Sequence, residues 1–83
     1  MQKNRNMPTL LYIFGMRFYF YLDEHLPIHV HINCNGKKAK IVLEPEVRVE
    51  YNHGLKEQEL RKALETCETY KEEFISEWHK RFG

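Results

Sequence analysis

The sequence has few of the features that mark secreted, membrane-bound or redox-active proteins. Only two cysteines occur in 83 residues, Cys34 and Cys67, and they lack the C-x-x-C spacing of a redox or zinc motif. Residues 1–15 contain no apolar run long enough for a signal peptide or a membrane span. We therefore predict a cytoplasmic protein with reduced thiols and without a membrane partner.

The sequence also lacks excess charge, repeats and low-complexity tracts. A net charge of +1 means that overall basicity does not indicate nucleic-acid binding, so any such preference must come from how the charges are distributed. The content of 42% hydrophobic and 13% aromatic residues is typical of a globular protein and excludes a disordered chain. A chain of this length buries about 60–65% of its unfolded surface. We predict one small domain that spans residues 1–83.

The first half of the chain shows the two-residue apolar period of antiparallel strands, over about residues 9–51. Gly15 separates two aromatic-rich runs, as a tight turn does. Asn35-Gly36 is a strong hairpin signal, because both positions tolerate positive φ. After Gly15, one side of the predicted strand carries Met16, Phe18, Phe20 and Leu22. The pattern predicts a meander of four or five antiparallel strands.

The second half has a helical period, over about residues 55–82. Apolar residues recur there at steps of three and four, which places them on one stripe of a helix: Leu60, Ala63, Leu64, Cys67, Tyr70, Phe74, Ile75, Trp78 and Phe82. An unbroken helix of roughly 25 residues would be about 38 Å long, so a break near residues 69–71 is consistent with a small domain. We predict an α+β fold in which one long C-terminal helix, continuous or broken, packs on one face of the meander.

A single helical layer covers only one face of a sheet, so we expect the other face to be open to water or to a partner. The alternation assigns to this open face Tyr12, Arg17, Tyr19, Tyr21, His29, His31, Lys38, Lys40 and Arg48. Such residues combine apolar stems with polar tips, and they are common as solvated decoration. A second copy of the chain could also cover the face, which would produce a homodimer through the sheet.

Tyrosines interleaved with cations offer a third use of this face. Bases of single-stranded RNA stack on aromatic rings, and Lys and Arg neutralise the phosphates. The binding residues would be His25, Tyr19, Tyr21, Arg17, Lys38 and Lys40.

Histidine chemistry is a further alternative, because "DEHLPIHVHI" (23–32) holds three of the five histidines. His29 and His31 lie about 6.6–7 Å apart on the same side of a strand, and their imidazoles can converge on one zinc ion. His25 would be the third metal ligand, with Asp23 or Glu24 orienting it or coordinating directly. A lone H-x-H is a weak zinc signal, so we predict no cofactor and keep zinc as the alternative.

The same two imidazoles also suit metal-free acid–base catalysis. His29 and His31 could cleave RNA through internal attack of the 2′-hydroxyl group, with one ring neutral and the other protonated. Lys38, Lys40 or Arg17 would then stabilise the charged transition state.

Five stretches carry a resemblance over almost the whole chain: "MPTLLYIFGMRFYFYL" (7–22), "DEHLPIHVHI" (23–32), "GKKAKIVL" (36–43), "NHGLKEQELRK" (52–62) and "EEFISEWHKRFG" (72–83). With them the chain resembles the short bacterial proteins of domain-of-unknown-function family 4160, which carry an Asp-His-x-Pro-Pro-His-x-His-like motif. His25, His29 and His31 keep the histidine spacing of that motif. Glu24 intervenes between Asp23 and His25, and Ile28 replaces the second proline.

The resemblance assigns no cofactor and no catalytic residue. Genes of that family are similar in size and setting to those of toxin–antitoxin-like modules. This implies a component that binds RNA or a cognate small protein through the open sheet face. The alternatives are a weak ribonuclease or metal-dependent hydrolase that uses His25, His29 and His31, and a non-catalytic dimeric module.

Overall fold

The structure, a computed structural model, describes residues 8–83. Residues 1–7 lie outside the described residues. Three predictions fall partly on these residues: the start of the single domain, the stretch 7–22 that begins at Met7, and the lack of a signal peptide or membrane span in residues 1–15.

Five strands precede two helices along the chain: β1 (Thr9–Ile13), β2 (Met16–Tyr19), β3 (His29–Cys34), β4 (Lys37–Val42), β5 (Arg48–His53), α1 (Glu57–Thr69) and α2 (Lys71–Phe82). The strands form one sheet in chain order, and every neighbouring pair is antiparallel. The predicted α+β meander is confirmed, with its last strand ending at residue 53 and its helical part beginning at residue 57. In the part of the chain that the structure describes, no helix is both long and apolar enough to cross a bilayer.

Two tight turns with positive φ bring neighbouring strands into register. Phe14 and Gly15 join β1 to β2 with φ of 56° and 71°, and Asn35 and Gly36 join β3 to β4 with φ of 54° and 84°. A two-residue turn with two positive φ values matches the right-handed twist of antiparallel strands. The Asn33 side chain accepts a hydrogen bond from the Gly36 amide at 2.8 Å, which holds the second turn. Both turns occur where the sequence predicts them.

The core lies between one face of the sheet and the two helices. Alternate strand residues and the predicted helical stripe supply it, and its buried members are Met16, Phe18, Phe20, Ile28, Val30, Ile32, Cys34, Ala39, Ile41, Leu43, Leu55, Ala63, Cys67, Phe74 and Trp78. Leu22 is the exception to the predicted pattern, because 62% of it is exposed. Strand β2 ends at Tyr19, so the alternation of that strand no longer applies at Leu22.

Of the two alternatives, a continuous or a broken helix, the structure has the broken one, and the break is at Tyr70 between α1 and α2. The Tyr70 amide donates to the Thr66 carbonyl at 2.9 Å, and the Tyr70 carbonyl accepts from the Phe74 amide at 2.9 Å. The Tyr70 ring also stacks on the Phe74 ring, with centroids 6.0 Å apart. Hydrogen bonding therefore passes through the break, and both helices contribute to the same core.

Candidate functional site

Strand register arranges the sheet face opposite the helices into two rows of side chains. What we call the inner row consists of Tyr19, His31, Lys40 and Tyr51, which are register partners across β2 to β5. The outer row, one pleat further along, consists of Tyr12, Arg17, Asn33, Lys38 and His53. Directly paired residues point to the same side of a sheet, so each row forms a continuous band across the strands.

Much of the inner row is buried, although the sequence predicts an open face. Tyr19 is 1% exposed and His31 is 4% exposed. The Tyr21 ring lies flat on the His31 ring, with centroids 3.8 Å apart and planes 14° apart. The segment between β2 and β3 therefore covers this end of the face, and the expectation that Tyr19, His29 and His31 face solvent is wrong.

Glu24, from the same segment, contacts both strand histidines. Its Oε1 lies 2.8 Å from His29 Nε2, and its Oε2 lies 3.0 Å from His31 Nε2. All three side chains are at most 5% exposed. Glu24 Oε2 also accepts a hydrogen bond of 2.7 Å from the Tyr21 amide, so the carboxylate is tied to its own loop. We call this group the Glu24–His29–His31 cluster.

The backbone sets the tautomer of His29. Its Nδ1 lies 2.7 Å from the Pro27 carbonyl oxygen. A carbonyl can only accept, so Nδ1 carries a hydrogen atom. In a neutral His29 ring the remaining nitrogen, Nε2, then presents a lone pair toward the Glu24 carboxylate. A proton or a cation between His29 Nε2 and Glu24 Oε1 would turn this repulsive contact of two electron-rich atoms into an attractive one.

His31 is held neutral at ordinary pH. Burial lowers the pKa of His31 to about 4, against the opposing effect of the Glu24 carboxylate. Although His31 Nε2 lies close to Glu24 Oε2, the pair lacks hydrogen-bond geometry, and this buried nitrogen has no hydrogen-bond partner among residues 8–83. Buried polar atoms without a partner are rare in folded proteins.

Of the three histidines predicted as metal ligands, the structure brings only two together. The ligand atoms of Glu24, His29 and His31 all lie within 4.8 Å of one another, and His25 is exposed and outside this group. Sequence reasoning gave Glu24 only a secondary role beside His25. A carboxylate five residues before His29, across a proline-containing turn, was the signal that could have identified it.

The three cationic residues predicted to bind RNA differ in their exposure and in their contacts. The Arg17 guanidinium lies 4.3 Å from the centre of the Tyr19 ring, and its Nε donates to Thr9 Oγ1 at 2.8 Å. Lys40 is half-buried, and its Nζ lies 3.6 Å from a Glu50 carboxylate oxygen. Lys38 is exposed and has no carboxylate partner in the described residues.

Tyr51 and His53 belong to the same face, although sequence reasoning did not include them. Their rings stack with centroids 4.5 Å apart and planes 18° apart. Burial, followed by the neighbouring Tyr21, raises the pKa of Tyr51, so its phenol stays neutral at ordinary pH. Val49 pairs with Ile41 on the core side, and a register shift between Lys40 and Ile41 puts Tyr51 on the other face, so strict alternation along β5 could not have placed these two residues.

The fold and the face define a small α+β domain that has a buried histidine–carboxylate cluster beside a partly exposed row of aromatic, cationic and amide side chains. Residues 15–79 match the family described as Domain of unknown function (DUF4160), and the chain belongs to that family. The resemblance drawn from the sequence is thereby confirmed. Comparison with curated proteins and with solved structures found no match.

Proposed function

We propose that this protein binds single-stranded RNA on the outer row of its sheet, as a cytoplasmic component of a toxin–antitoxin-like module. The observation that carries the proposal is the composition of that row. Two aromatic rings, two cations and one amide cross all five strands, and none of the five side chains is acidic.

The dimensions of the outer row suit a short segment of single strand. Neighbouring strands lie about 4.7–4.9 Å apart, so a row across five strands is about 19 Å long. RNA-binding sheets of similar width stack two or three bases on their aromatic side chains. Tyr12, 71% exposed, and His53, backed by the Tyr51 ring, lie at the two ends of the row. Each offers a ring face to a base.

The charges of the row support contact with phosphates. Lys38 is exposed and lacks a carboxylate partner in the described residues, and Arg17 lies next to it across the Asn33 position. Two cations between two aromatic rings match the alternation of phosphates and bases along a strand. The Asn33 Oδ1 already accepts from the Gly36 amide, and the Asn33 Nδ2 can donate a hydrogen bond at a base edge.

Burial of the cluster favours binding over hydrolysis. A phosphodiester could reach Nε2 of His29 or His31 only after Glu24 and the Tyr21 ring moved away. The proposal therefore places RNA on the outer row and requires no proton transfer by either histidine.

Binding of labelled single-stranded RNA, followed by fluorescence anisotropy, tests the proposal. Two phosphate contacts give a slope of roughly −1.4 for log affinity against log salt, which is about a sevenfold loss between 50 and 200 mM salt. Lys38→Ala should roughly halve that slope. Tyr12→Ala should weaken binding by about 1–3 kcal/mol through the lost stacking.

Arg61→Ala is the matched control, because Arg61 is an exposed cation on α1, away from the sheet face. Its removal changes the net charge by the same amount and should leave RNA affinity and its salt slope unaltered. Affinity that is indifferent to salt, or an Arg61→Ala effect as large as that of Lys38→Ala, would contradict the proposal. Absence of RNA binding, together with a doubled mass in solution that Tyr12→Glu abolishes, would replace it with the homodimer.

A further inference from the structure

We infer that the Glu24–His29–His31 cluster is a binding site for a divalent transition-metal ion, zinc(II) foremost. Nε2 of both histidines and the Glu24 carboxylate would be its ligands. This cluster shares no residue with the outer row, so metal binding here does not depend on RNA binding there.

The spacing of the ligand atoms carries the first part of the argument. Bonds of 2.0–2.1 Å at tetrahedral angles separate neighbouring ligand atoms on zinc by about 3.3 Å. The two nitrogen–carboxylate separations in the cluster are 2.8 and 3.0 Å, and all three ligand atoms lie within 4.8 Å of one another. Shifts of a few tenths of an ångström to about one ångström bring three ligands around one ion.

The contacts of His29 carry the second part. Histidine ligands usually donate their other ring N–H to a carbonyl or a carboxylate, which orients the ring and directs the free lone pair at the metal. His29 Nδ1 makes this contact with the Pro27 carbonyl at 2.7 Å, so Nε2 is the nitrogen left for coordination. A cation between His29 Nε2 and Glu24 Oε1 would also remove the repulsion between the nitrogen lone pair and the carboxylate oxygen.

His31 supplies an independent observation. Its side chain is 95% buried, and its Nε2 faces the carboxylate but makes no hydrogen bond with any residue of the described chain. A bond to a metal ion is the kind of partner that such a nitrogen lacks. The Tyr21 ring, stacked on His31, closes the site from solvent.

The donor set determines the class of metal. Two imidazoles and one carboxylate suit zinc and iron(II), whereas magnesium and calcium require mainly oxygen ligands. Neither cysteine is a ligand, because Cys34 contacts Glu59 and Cys67, on α1, is buried in the hydrophobic core. The ion would join the segment before β3 to the strand itself, so its first effect is on the stability of that segment.

Titration of zinc(II) into chelator-treated protein, followed by calorimetry and thermal unfolding, tests the inference. We expect one zinc ion per chain and a melting temperature that rises with zinc concentration. Cobalt(II) in place of zinc should produce visible d–d absorption without a thiolate charge-transfer band. A lack of stoichiometric binding, or a thiolate band, would overturn the inference.

Variants locate the site. Glu24→Gln and His31→Gln should each lower zinc affinity at least tenfold, whereas His25→Ala should leave it unchanged. His25 is the matched control because it is an exposed histidine of the same segment. Zinc affinity that persists in His31→Gln, or is lost in His25→Ala, would refute the assignment.

Ring-nitrogen NMR of the wild-type protein gives a second readout that does not depend on how the variants fold. Zinc should shift the Nε2 resonances of His29 and His31, and leave those of His25, His53 and His79 in place. A zinc-induced shift confined to the latter three would exclude the cluster as the site.

Discussion

Replacing Phe20 by alanine removes the ring that connects the end of β2 to α2. Phe20 has no exposed surface. Its ring meets the Trp78 ring edge-on at 5.4 Å and the Phe82 ring at 5.5 Å between centroids. Trp78 in turn lies 5.2 Å from the His29 ring, so this aromatic group also supports the Glu24–His29–His31 cluster.

The expected loss is large relative to the stability of the whole domain. A buried Phe→Ala replacement costs about 3–5 kcal/mol, including the cavity it leaves. A domain of 83 residues has a free energy of unfolding of about 4–12 kcal/mol. Phe20→Leu keeps most of the volume and removes only the two aromatic pairs, so it should cost about 1–3 kcal/mol.

Urea unfolding measures these losses, with the fluorescence of Trp78, the single tryptophan, as one probe and far-UV circular dichroism as the other. Phe20→Ala should lower the urea midpoint by at least about 1 M. Leu26→Ala, at a site that is 76% exposed, is the matched control and should change stability by less than about 0.5 kcal/mol. A loss below about 1 kcal/mol for Phe20→Ala, or an equal loss for the control, would refute the packing argument.

Two further predictions concern charge and backbone. Hydrogen bonds from the Lys37 side chain and the Lys56 amide lower the pKa of Glu59 from 4.5 to about 2. The Glu59 carboxylate therefore stabilises the fold above about pH 4.5, and this contribution disappears as the pH falls toward 2. The difference in melting temperature between wild type and Glu59→Gln should shrink over that range, and a difference independent of pH would contradict the assignment. Gly36 has a φ of 84° and open space around it, so Gly36→Ala should lower the free energy of unfolding by about 1 kcal/mol in the urea assay. Gly36→Asn should lower it by less, because asparagine tolerates positive φ. Equal losses for the two variants would contradict backbone strain at this position.

Much of the fold follows from periods that act over a few residues. The two-residue alternation up to β5 and the three-to-four spacing from Leu60 onward each depend on local backbone geometry, so the sequence alone was sufficient to predict both layers of the domain. The turn at Asn35-Gly36 is also a local choice, because two adjacent residues there tolerate positive φ. His29 and His31 share a side of β3 for the same reason.

The site depended on contacts that no local period encodes. The alternation of β2 runs on in the sequence to Leu22, and residues 23–28 neither alternate nor repeat at helical spacing, so the path of this segment is set by what it packs against. Tyr21 covers His31, and Glu24 reaches both histidines, only because β2 and β3 are neighbours in the folded sheet. The sequence by itself determined which residue types could meet on this face. The tertiary structure decided which of them are buried together and which remain exposed, because burial depends on segments distant from each strand and not on the strand's own pattern.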